Sequence, residues 1–167
     1  MKKIYLFVIL FLSLITAFPQ AQKPVTPVGA APVLYGSPIT LSQAEKVMAA
    51  AVEEAVRNGW TMAIAIVDAG GNLVAFQKMD NTQIGSVEVA IAKAKTANNF
   101  KRPTKVFEDL VANGGVGLRI LSLPGAVPLE GGEPIMFQGK IIGGIGVSGM
   151  KSTEDDQVAK AGLNALN

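Results

Sequence analysis

Two of the side-chain types that carry most acid–base, nucleophilic and metal chemistry are missing: the 167-residue chain contains neither histidine nor cysteine. That removes a thiol nucleophile, a serine–histidine pair, a zinc site of the usual ligands and an imidazole ligand for a haem iron. Proton transfer falls to Asp, Glu, Lys or Tyr. Two carboxylates stand at changes of chain direction and are candidate acid–base groups. Asp68 ends an apolar run at Val67-Asp-Ala-Gly-Gly-Asn72, and Glu130 follows a loop holding Pro124 and Pro128. An Asp in the first position commonly bonds its own turn, so shaping that turn is the competing role. Asp155-Asp156 offer oxygen ligands for a cation, although acids at a helix start also simply complement the dipole.

Arginine occurs at Arg57, Arg102 and Arg119. Arg102 lies in Lys101-Arg-Pro-Thr-Lys105, where a helix is expected to begin at Pro103. Backbone amides, the helix dipole and the cations Arg102 and Lys105 then converge on one place suited to an anion, with Thr104 as the alternative cap. Arg119 sits in an apolar run read as a strand, within reach of Glu130 or Glu133. Any iron ligand must come from Met, Tyr, Lys, a carboxylate or a hydroxyl.

Two glycine-punctuated hairpins must position these groups. The first runs from Met62 to Phe76 and the second from Ile135 to Gly149, each a pair of β-branched runs joined by a tight turn. Gly143, Gly144, Gly146 and Gly149 interrupt the last strand. Glycine weakens a strand, so their presence implies close approach of a helix, another subunit's backbone or a flat ligand. Around the hairpins, Thr40-Leu-Ser-Gln43 reads as a capping box opening a helix that Asn58-Gly59 closes. Ala44, Val47, Met48, Ala51, Val52, Ala55 and Val56 follow at helical spacing as its apolar stripe, with Glu45, Lys46, Glu53, Glu54 and Arg57 opposite. Further helices are expected over Ile84–Asn98 and Pro103–Ala112, a strand over Leu118–Ser122, and a closing helix capped by Ser152. The expected fold is α+β: a single antiparallel sheet of about five strands flanked by helices.

The N-terminus carries a basic start (Lys2, Lys3), an apolar run from Ile4 to Ile15 and small residues up to Ala21, the pattern of a signal peptide over residues 1–21. The run is too short to span a bilayer comfortably, so no stable membrane insertion is expected after cleavage. A proline-rich arm over 22–39 and one domain over 40–167 follow. The two leader lysines account for the whole formal charge of +2, which leaves the mature chain neutral and poorly suited to nucleic acid.

Several stretches in one order resemble the GlcG/HbpS-like family, the haem-degrading domain also found at the C-terminus of PduO-type proteins. They are Ala65–Val74, Lys78-Met-Asp80, Ala92–Ala97 with Phe100, Pro103-Thr104, Pro124–Pro128, Ile141–Gly149, Asp156 and Ala159–Gly162. The resemblance implies a profilin-like or PAS-like sheet, assembly into dimers or larger rings, and binding of haem or a related tetrapyrrole, with iron-linked degradation in some exported members. On this reading the protein is periplasmic or secreted. Its planar anionic ligand would lie against Gly143, Gly144 and Gly146, its carboxylates meeting Arg102 and Lys105, with Thr104, Met79 or Tyr35 as a weak axial contact. The alternatives are a small-molecule lyase, isomerase or oxidative degrader using Asp68 or Glu130, and a non-catalytic oligomeric module.

Overall fold

A computed structural model describes residues 32–166; the leader and the first ten residues of the arm lie outside the described residues. Helix α1 (Leu41–Arg57) starts on a capping box in which Gln43 N–H donates to Thr40 Oγ1 and Thr40 N–H donates to Gln43 Oε1. It ends at Asn58, with Gly59 at φ 70°, because glycine reaches the left-handed region without penalty. Strands β1 (Ala63–Asp68) and β2 (Leu73–Lys78) form the first hairpin, and β3 (Gly132–Phe137) and β4 (Lys140–Ser148) the second. Gln138 and Gly139 both have positive φ in the second turn, the geometry that matches strand twist in a two-residue hairpin.

The sheet is antiparallel, in the order β2-β1-β4-β3. It has four strands rather than about five: the expected strand at Leu118–Ser122 belongs instead to a 3₁₀ segment, Gly115–Ser122. That run follows Gly114 and Gly115, both at positive φ, and it alternates too poorly to lay one face on a core. Helix α2 (Ser86–Phe100) crosses one face of the sheet; α1 and α4 (Ser152–Leu163) cover the other; α3 (Thr104–Ala112) packs on the 3₁₀ segment. The last helix begins at Ser152 as expected, but Lys151 occupies the cap position.

Alternation along the strands sorts the core. Ile64, Ile66, Ile145 and Val147 pack with Val47, Met48, Ala51 and Val158, whereas Ala63, Ala65 and Val67 meet Ala90 and Ala94 of α2. The second layer is built from small residues, so α2 comes down onto the sheet backbone. A Cβ on Gly146 would lie 2.1 Å from Ala90 O, and one on Gly144 2.5 Å from Ala94 O. The helix is therefore what approaches these glycines, and the expected ligand surface at Gly144 and Gly146 is already filled. Gly143 is likewise closed, by Val67 O and Ile39.

The arm's described end lies along β4: Ile141 N–H donates to Leu34 O, and Gly36 and Ile39 N–H donate to Ile141 O and Ile142 O. Among the described residues no helix is long and apolar enough to cross a membrane.

Candidate functional site

Where α2 ends, Lys101 adopts the left-handed conformation and the chain turns into α3. That turn brings Phe100 and Phe107 together edge to face, ring centroids 5.4 Å apart, and sets the Arg102 guanidinium 5.7 Å over the Phe107 ring. The 3₁₀ segment and its cap residue Leu123 line the far side with Arg119, Ile120 and Ser122, framing an open cleft of about 380 Å³. Neither arginine is in an ion pair among the described residues. Arg119 does not meet Glu130 or Glu133 as expected, because the segment carrying it is no strand of the sheet. The cleft therefore offers aromatic and aliphatic walls with two cations at its edge, a combination suited to an apolar molecule bearing carboxylates. Leu110 of the lining is exposed, as are Leu118 and Leu121 of the 3₁₀ segment, whose Val116 is three-quarters exposed.

Of the expected ligand-binding residues Arg102 alone lines this cleft, joined by Arg119, which was expected to pair with a carboxylate instead. Thr104 is fully buried: its Oγ1 accepts the Gly132 N–H at 2.9 Å and ties α3 to β3. Lys105 pairs with Asp109 one turn along α3. Met79 follows β2 and packs against the α1/α4 core. Tyr35 donates to Asn98 O at 2.8 Å, and Lys101 Nζ sits 4.3 Å over its ring.

The two acid–base candidates are not brought together. Asp68 lies beside Gly143 at the start of β4, whereas Glu130 precedes Gly132, which pairs with Gly146 toward its end. Asp68 Oδ1 accepts the N–H groups of Gly70 and Asn72 at 2.8 and 2.9 Å. Burial pushes its carboxyl up, but the bonds from Asn72 and Gly70 outweigh this and hold it below its ordinary value. Asp68 is thus placed as a turn-shaping group. Glu130 is buried with its pKa raised, first by burial and then by the charge of Asp156.

Two buried polar clusters escaped the sequence reading. Lys93 of α2, 2% exposed, donates to Asp155 Oδ2 at 2.7 Å and Val147 O at 2.9 Å, joining both faces of the sheet. Glu54, expected at the surface, is buried against α4 and accepts from Gln157 Nε2 at 2.6 Å. Asp156 and Lys160 form the floor of a more open, polar groove of about 450 Å³ between α1 and α4. Among the described residues no group of three or more Asp or Glu is arranged to hold a metal ion.

The model of the family described as "Haem degrading protein HbpS-like" matches residues 39–164. The chain belongs to the HbpS-like family. Protein GlcG of Escherichia coli K12 is 40% identical over 112 residues, covering 66% of this chain and 82% of GlcG. A double mutant of HbpS from Streptomyces reticuli superposes with a TM-score of 0.73 at 31% identity, covering 87% of this chain and 99% of that one. The complex of PduOC with haem superposes with a TM-score of 0.71 at 29% identity, covering 78% and 96%. The family match over residues 39–164 spans α1 to α4, so the small-residue α2 interface and the cleft belong to the matched part of this HbpS-like chain.

Proposed function

We propose that this HbpS-like protein binds haem or a related tetrapyrrole carboxylate, and that it does so outside the cytoplasm once its leader is removed. The observation that carries the reading is the cleft in which Phe100 and Phe107 face Arg119 and Arg102. Its walls suit a flat apolar macrocycle, and its two guanidinium groups, in no ion pair among the described residues, suit the paired carboxylates of such a molecule. The haem-bound state of PduOC, a relative with the same fold, adds support.

The cleft fits the ring and its carboxylates better than it fits the iron. Its lining holds no thioether, phenol or amine, and the one hydroxyl is that of Ser122. Bound haem would supply a redox-active iron, and the lining offers that iron no strong side-chain ligand. Thr104, Met79 and Tyr35 are engaged elsewhere and do not line the cleft. The exposed apolar side chains of the 3₁₀ segment, Val116, Leu118 and Leu121, suit cover by a second copy of the chain, so a homo-oligomer is part of the proposal.

Titration of the purified mature protein with haemin is the test. A saturable Soret shift at micromolar haemin, with the spectrum of a weakly ligated iron, is expected, and light scattering should report an assembly larger than one chain. The absence of any saturable shift refutes the reading. Bleaching of the Soret band on adding a reductant in air tests turnover in the same cuvette.

A further inference from the structure

Glu133 points from β3 into the layer between the sheet and α4. Its register partner is Ile145, a core residue of that face. Only 6% of Glu133 is exposed, and Asp156 of α4 is buried to the same extent. Asp156 Oδ2 accepts from Lys160 Nζ at 2.5 Å, but its Oδ1 is buried with no hydrogen-bond partner. The Glu133 carboxyl stands within hydrogen-bond reach of Asp156. Two carboxylates cannot bond each other without a proton, and an unpaired buried carboxylate oxygen is costly. A single proton on Glu133 resolves both difficulties, because its O–H then donates to the orphan Oδ1.

We propose that Glu133 and Asp156 share one proton, and that this proton latches α4 to edge strand β3 as a pH-sensitive fastening within the fold.

The surrounding charges support the assignment. From the loop before β3, Glu130 adds a third carboxylate to the pair; from α4, Lys160 offsets one charge. From α3, Glu108 accepts the Glu130 backbone N–H and Lys105 lies near Glu130. Lys93 of α2 is committed to Asp155, and Glu54 of α1 to Gln157, Asn58 and Arg57. Three carboxylates therefore face one committed cation, and the cheapest way to lower their repulsion is to keep one protonated. Burial, then the bond to and the charge of Asp156, push Glu133 from 4.5 up to about 7. The sign follows by linkage: in that window the folded state holds a proton that the unfolded chain has lost. The stabilisation is complete below 4.5 and declines as pH rises toward about 7.

The test uses the mature protein and two readouts. Infrared difference spectra should show a protonated-carboxyl stretch that disappears near neutral pH and is missing in Glu133→Gln. Hydrogen exchange of α4 amides, corrected for intrinsic rates, should lose up to about tenfold protection per unit of pH between 4.5 and about 7 in the wild type and level off above that. In Glu133→Gln it should stay level, because the amide donates to Asp156 at any pH. Should Glu133→Gln fold poorly, the wild-type infrared titration decides alone. A carboxyl stretch that titrates below about pH 5, or α4 protection that is equal at pH 6 and pH 8 in the wild type, overturns the proposal.

Discussion

Replacing Gly146 by alanine separates close packing from an open surface at the glycine strand. An added Cβ would sit 2.1 Å from Ala90 O and 2.3 Å from Ala94 N, against about 3.5 Å for ordinary contact. Both obstacles are helix backbone, so no side chain can rotate away. Helix α2 must withdraw by roughly 1 Å and loosen the Ala63, Ala65 and Val67 layer beneath it. Overpacking of this kind costs about 3 kcal/mol, the upper end of the usual range. At a urea slope of about 1.5 kcal/mol per molar, the midpoint falls by roughly 2 M. Gly85→Ala is the control. That residue has φ −62° and ψ −22° with nothing within 4 Å of an added Cβ, so alanine should be neutral or add about 0.5 kcal/mol. Equal midpoints for Gly146→Ala and wild type, or equal losses in both variants, would refute the packing account.

Other expectations concern buried charge and turn chemistry. Lys93→Met leaves Asp155 uncompensated in the core and should cost about 3–5 kcal/mol by urea denaturation, with much of the loss recovered in Lys93→Met combined with Asp155→Leu. A cost below about 1 kcal/mol would show that the pair does not hold the two faces together. Asp68→Ala removes two backbone acceptor bonds and should cost about 1 kcal/mol while leaving haemin affinity unchanged; a large loss of ligand binding in the folded variant would restore Asp68 as a chemical group. Because its carboxyl is held below the ordinary value, its contribution should persist above about pH 4 and fade only under more acid conditions.

Much of the architecture was legible because local signals and tertiary packing agree. The capping box at Thr40, the stop at Gly59 and both hairpins arise from residues close in sequence. The glycines of β4 correctly implied a close approach, but not by what. Small residues at Ala90 and Ala94 held that answer, since only they allow a helix to rest on strand backbone. The Leu118–Ser122 run was misread because a short apolar segment, here Leu118, Ile120 and Leu121, resembles a strand whether or not it has a neighbour to pair with. The buried charges were least legible: Lys93 and Asp155 lie 62 positions apart, and each alone looks like an ordinary surface residue. Arg102 and Arg119 were noted separately, yet only the turn at Lys101 and the 3₁₀ segment bring them to one cleft.

The central claim is that the Phe100–Phe107 cleft, with its two guanidinium groups, holds a planar carboxylate-bearing macrocycle. Haemin titration of wild type beside the double variant Arg102→Ala/Arg119→Ala tests it most directly, with circular dichroism confirming that both are folded. If each exposed cation contributes a little under 1 kcal/mol, the account predicts roughly tenfold weaker binding in the variant and a similar loss for wild type with the dimethyl ester of the porphyrin. Unchanged affinity in the variant, with the ester bound as tightly as the acid, would contradict it.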